Sequence, residues 1–168
     1  VPDRLAKFYR NEGFEDTDIT YKGDTSSDEI THHYLHLLVA HEFLGREDPE
    51  YDELLKTAVR NTTKHIIDNN FALREADGKY TTWAKWNMEY FKTPMGWADA
   101  CLNAGQMLMY LRVCMHITGE SGIWQETYDK LIEMGYDKLT VEHYNRFHHV
   151  SLQGGVDDCE EVMYGDHM

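Results

Sequence analysis

The sequence predicts an all-α fold of antiparallel helical hairpins, interrupted once by a small β-hairpin. Apolar residues recur at helical spacing in four stretches between about residues 27 and 134. Short turns, Gly45-Arg46-Glu47-Asp48 and Thr118-Gly119-Glu120-Ser121-Gly122, join those stretches in pairs. The segment between the pairs, about 71–96, loses the helical period and carries Asp77-Gly78 between β-branched and aromatic runs. With 168 residues, 42% hydrophobic and 12% aromatic, the chain is one domain's worth and can pack a core without staples, which argues against disorder.

Each element has its own signal. Ser26 with Glu29 three residues later is a capping box, and Ile30, Tyr34, Leu37, Leu38 and His41 form one stripe on a helix ending near Gly45. Asp48-Pro49 restarts the chain as cap and first helical residue, and Leu54, Leu55, Ala58, Val59, Thr62, Ile66 and Ile67 carry the period to about Asn70. Phe71, Leu73, Tyr80, Thr81, Thr82 and Trp83 flank the Asp77-Gly78 turn of the β excursion. A Thr93-Pro94-Met95-Gly96 turn leads to a long helix from about Trp97 to Ile117, apolar on most faces and therefore expected to be buried nearly all round. Ile123, Trp124, Tyr128, Leu131, Ile132 and Met134 give its return helix, stopped by Gly135. A third hairpin is expected from Thr140 through the break at Gly154-Gly155 to residue 168. The hairpins thus span about 27–70, 97–134 and 140–168, the pattern of a stacked or ring-closed α/α array. The short last helix, ending without Gly or Pro, leads us to expect that the chain is a fragment of a longer protein.

Charge narrows the partners. Thirty Asp and Glu against sixteen Lys and Arg leave a net charge of −14, with no basic cluster longer than two residues, so nucleic acid and anionic membranes are excluded as partners. Cations and neutral polar ligands fit that charge. No stretch approaches the ~18–20 apolar residues of a membrane span, and VPDRLAKFYRNEGFED has no signal-peptide pattern. Cys101 and Cys114 lie thirteen residues apart on one helix, about 20 Å along its axis, beyond the ~7 Å reach of a disulfide. Buried, inert thiols are expected. There is no GxGxxG, Walker loop, GxSxG elbow or EF-hand, and no cofactor is assigned.

Taken together, KGDTSSDEITHHYLHLLVAHEFLG, TTWAKWNMEY, the long helix running into CMHITGE, and YDKLIEMGY resemble the bacterial six-hairpin, (α/α)-toroid glycosidase-like proteins over about residues 20–168. That superfamily includes glycoside hydrolases and polysaccharide lyases. The resemblance implies part of a toroid, a carbohydrate substrate and a periplasmic or secreted location. Loops at one end of such a ring line its cleft; here they contain Asp24 and Asp28, Trp83 and Trp86, and Asp157 and Asp158.

Glycoside hydrolysis needs two carboxyl groups about 5–5.5 Å or about 6.5–9.5 Å apart, one acid and one base or nucleophile. Asp24 or Asp28 opposite Asp157 or Asp158 could supply them; helix capping explains Asp28 and Asp158 equally well, whereas Asp24 precedes its capping box and is the preferred functional carboxylate. His33 is a candidate polar assistant or base, with a structural histidine as the alternative. His32 and His36, at i and i+4, point the same way and could hold Zn²⁺, but no HExxH accompanies them and no metal is assigned. Trp83 or Trp86 could stack on a pyranose, although Trp83, Trp86, Tyr90, Phe91 and Trp97 could instead anchor the excursion to the helices. The spacing of Trp83 and Trp86 leaves at most one of them exposed. The expected function is a glycoside hydrolase or polysaccharide lyase acting on an oligo- or polysaccharide. The alternative is a glycan-binding or scaffold module without catalysis, and a hairpin face left open could pair with a second copy.

Overall fold

The computed structural model describes residues 23–142. Helix α1 (Ser27–Ala40) runs into a π-helical turn (His41–Gly45), and α2 (Pro49–Asp68) returns beside it. Strands β1 (Ala72–Arg74) and β2 (Tyr80–Lys85) pair antiparallel, α3 (Met88–Phe91) is a single turn, and α4 (Pro94–Thr118) and α5 (Gly122–Glu133) form a second helical hairpin. A further helix covers 136–142. The fold is mostly helical with one small two-stranded sheet, as the sequence predicts.

Local chemistry sets the boundaries. Ser26 Oγ accepts from the Glu29 amide at 3.4 Å while Glu29 Oε2 accepts from the Ser26 amide at 3.0 Å, completing the capping box. Asp48 Oδ1 accepts from the Glu50 and Tyr51 amides at 3.0 and 3.1 Å, with Pro49 as first helical residue. In the hairpin turn the Glu75 amide donates to the Lys79 carbonyl at 2.8 Å, and Gly78 takes φ +86°, a region that suits glycine. Thr93 caps α4 through the Gly96 amide at 3.0 Å. Gly96 itself is required by space, because a Cβ there would stand 2.0 Å from the Tyr90 carbonyl oxygen.

Two details differ from expectation. The aromatic segment after β2 contains α3, started by Asn87, whose Oδ1 accepts from the Tyr90 amide at 2.8 Å. After Gly135 the chain re-enters a helix at once, at 136 instead of 140, with the Leu139 amide donating to the Gly135 carbonyl. The rest of the predicted third hairpin lies outside the described residues.

Helix α4 is the centre of the fold and contacts α1, α2, α3 and α5. Its buried residues lie on most of its circumference, including Leu102, Ala104, Met107, Tyr110, Leu111, Cys114 and Ile117, as the all-round apolar pattern predicts. Tyr110 stacks on Tyr34 with ring centroids 4.2 Å apart and meets the edge of Trp86 at 5.4 Å. Each of these buried polar tips is satisfied: Tyr34 Oη pairs with Thr63 Oγ1 at 2.7 Å, Tyr110 Oη donates to the Ser27 carbonyl at 3.0 Å, and Trp86 Nε1 donates to Gln106 Oε1 at 3.0 Å. Cys101 and Cys114 are both buried, as expected. Leu35, Val39 and Phe43 are exposed at intervals of four along α1 and its π turn, an apolar face on the outside of the first hairpin. Among the described residues no helix is long and apolar enough to cross a membrane.

Candidate functional site

Of the predicted site residues, Asp24 and Asp28 lie at the N-terminal end of α1, and Asp24 is tied there to the strand that carries Trp83. Asp24 adopts φ +58°, and its Oδ1 accepts from the Thr82 amide of β2 at 2.5 Å. The next residue repeats the tie, the Thr25 amide donating to Glu75 Oε1 at 3.2 Å. Residues separated by about fifty positions are thereby strapped together, and Asp24 is held at the strand residue preceding Trp83. The Trp83 side chain is exposed (44%), as is Tyr80, over whose ring the Arg74 guanidinium sits at 4.3 Å. Asn and Asp are the side chains that best tolerate the left-handed backbone of residue 24, so the strap has a local sequence reason.

Trp86 is corrected from a candidate sugar platform to a core residue. It is 0% exposed and its indole N–H is spent on Gln106, so no ligand reaches its face. The expected limit of one exposed tryptophan of the pair holds. Tyr90 and Phe91 are also buried, in line with the anchoring alternative, and Trp97 is exposed. Asp28 sits in the first turn of α1, half-buried, and accepts from Ser27 Oγ at 3.3 Å, a position that complements the helix dipole. His33 lies on the solvent side of α1; partial burial, and then the neighbouring His36, lower its pKa and favour the neutral ring. His32 and His36 are exposed, and His32 Nδ1 lies 2.9 Å from the Asp28 carbonyl oxygen. Asp157 and Asp158 lie outside the described residues.

A second cluster, absent from the sequence reading, stands at the opposite end of α1. His41 and Glu42 open the π turn, and His116 faces them from the last turns of α4. His116 Nε2 lies 2.6 Å from Glu42 Oε1, and Arg46 pairs with Oε2 of the same carboxylate. His41 Nδ1 lies 2.6 Å from Asp52 Oδ1, while Lys56 Nζ holds Asp52 Oδ2 at 2.7 Å. The imidazole rings of His41 and His116 meet edge to face, 5.8 Å between centroids. Hydrogen bonding to His116 lowers the Glu42 pKa, and hydrogen bonding to Lys56, then His41, lowers that of Asp52, so both carboxyls stay ionised. His41, Glu42 and His116 each offer one ligand atom within 4.8 Å of the others. His41 continues the stripe of α1 as the sequence places it, partly buried with its amide on the Leu37 and Leu38 carbonyls, but no capping or periodicity signal announces the π turn that follows or the contacts of His41 with Asp52 and His116.

Comparison of the chain with protein-family models, curated proteins and solved structures returns no significant match.

Proposed function

We propose that the chain is a saccharide-binding unit of a helical-hairpin array of the (α/α)-toroid kind, with Trp83 as its stacking platform. The observation that carries this reading is the strap from Asp24 to Thr82, which orders the chain beside an exposed indole. A flat aromatic ring offers the apolar face of a pyranose a large contact. In the same two-stranded sheet the exposed Tyr80 of β2 carries the Arg74 guanidinium of β1 over its ring, a further aromatic and polar surface. With a net charge of −14, the favoured ligands are neutral oligosaccharides rather than polyanionic ones.

Binding is preferred over hydrolysis for a chemical reason. A general acid must be protonated, whereas a carboxylate that accepts from a backbone amide is stabilised in its ionised form. Asp24 therefore suits a positioning role or, in a glycosidase or lyase, the base. The catalytic reading pairs Asp24 with Asp157 or Asp158 and uses His33 as polar assistant, at the carboxylate spacings glycoside hydrolysis requires.

The test is a fluorescence titration of the full chain with a panel of neutral oligosaccharides, with product analysis on the same samples. We expect saturable quenching that Trp83→Ala removes while its circular dichroism spectrum stays unchanged. Quenching by no member of the panel, or equal binding by Trp83→Ala, overturns the proposal. Turnover abolished by Asp24→Asn would replace the binding reading with the catalytic one.

A further inference from the structure

We infer that His41, Glu42 and His116 form a binding site for a divalent late first-row transition ion of the Zn²⁺ class. The donors come from two elements, the π turn after α1 and the end of α4, and bring two imidazoles and one carboxylate together. The donor types select the metal: two imidazoles with a carboxylate suit Zn²⁺ and its neighbours, whereas Ca²⁺ and Mg²⁺ require oxygen shells.

The distances permit coordination with small movements. A tetrahedral ion with bonds of about 2.1 Å keeps its ligands about 3.4 Å apart. The Glu42 and His116 donors, 2.6 Å apart, must then open by about 0.8 Å, and any donors as far as 4.8 Å apart must close by no more than about 1.4 Å. His116, whose side chain is 54% exposed, can make that adjustment by rotation.

The surrounding contacts orient the donors as a metal site needs. A carboxylate only accepts, so the 2.6 Å contact to Asp52 places the His41 proton on Nδ1 and leaves the lone pair of Nε2 for an ion. This is the carboxylate–histidine arrangement that fixes the tautomer of metal-bound imidazoles, and Lys56 anchors Asp52 from behind. Glu42 is oriented likewise, with Arg46 holding Oε2 and Oε1 turned to His116. Binding would replace the His116–Glu42 contact by two bonds to one ion, which takes the place of the hydrogen between them. Three protein ligands leave one position for water or an exogenous ligand.

Isothermal titration of the chelator-treated, full 168-residue chain with Zn²⁺ alone tests the assignment, with Co²⁺ absorbance as a report on coordination. We expect one tight equivalent, weakened at least about tenfold by His116→Ala. The double variant His32→Ala/His36→Ala removes the exposed i, i+4 pair on α1 and should leave that equivalent unchanged. Thermal melts supply the folding control: without metal His116→Ala should melt as the parent does, and with Zn²⁺ only the parent should gain stability. No saturable binding, binding insensitive to His116→Ala, or binding lost in the His32/His36 double variant would overturn the inference.

Discussion

The two ends of α1 put carboxylates to opposite uses. Its fourteen residues separate the ends by about 21 Å. At the N-terminal end Asp24, Glu29 and Glu75 each accept from a backbone amide, those of Thr82, Ser26 and Thr25. At the other end Glu42 and Asp52 meet imidazole, guanidinium and ammonium groups, side chain to side chain. A carboxylate on a backbone amide fixes where the chain goes. A carboxylate among imidazoles creates a constellation whose protons can be exchanged for a cation.

The sharpest way to erase the comparison is to remove the core that supports both ends. Trp86 directly follows β2, meets Tyr110, and its carbonyl accepts from Tyr136 Oη at 2.6 Å. Trp86→Ala should cost about 3–5 kcal/mol, read from urea denaturation, and weaken both clusters together. Trp83→Ala, on the same segment but exposed, should stay within about 0.5 kcal/mol of the parent. Equal losses would mean that Trp83 is also part of the packing and would remove the basis for a platform.

The N-terminal end separates from the other through Asp24. Asp24→Ala loses the bond to the Thr82 amide and puts a residue without a side-chain acceptor at φ +58°, for an expected loss of about 1–2 kcal/mol. Asp24→Asn keeps an acceptor and tolerates the left-handed backbone, so most of that stability should return, with Zn²⁺ affinity unchanged in both variants. A stability loss in Asp24→Asn equal to that in Asp24→Ala would show that the charge, not the strap, is what matters there.

The contrast between the ends also explains what could be read in advance. The capping box, the Asp48-Pro49 start, the Asp77-Gly78 turn and the all-round apolar pattern of α4 are local signals, each complete within a few residues or a few turns. The burial of Trp86 against the exposure of Trp83 was half legible, since their spacing forbids one common strand face, but which of them turns inward depends on Gln106 and Tyr110. The Asp24 strap spans 58 positions and the Glu42–His116 contact 74, and no periodicity carries information over such separations. His41 was legible as a stripe position, which it occupies half-buried, but its partners Asp52 and His116 come from other helices and leave no local trace.

At the C-terminal end the matching variant is Asp52→Asn, which leaves all three proposed ligands in place. An amide can still contact His41 Nδ1 through its oxygen but no longer fixes the imidazole as a carboxylate does. Zn²⁺ affinity should fall by about tenfold, with oligosaccharide binding at Trp83 unchanged. An unchanged affinity would make Asp52 a partner of Lys56 only.

The smallest effect calibrates the others, because it belongs to neither end. Glu120, in the turn between α4 and α5, accepts from Arg60 Nη2 at 2.8 Å and from Nε at 3.2 Å, tying that turn to α2. The hydrogen bonds from Arg60 lower the Glu120 pKa below its unfolded value. A depressed carboxylate contributes stability above its unfolded pKa and loses it as pH falls through its folded pKa. Glu120→Gln should therefore melt slightly below the parent at neutral pH, and the two curves should converge as the pH is lowered through the acid range. The pair is exposed, so added salt should narrow the neutral-pH difference as well. A difference that persists unchanged into acid would assign the contact to packing of the turn against Trp124, whose indole N–H lies 3.5 Å from Glu120 Oε2, rather than to charge.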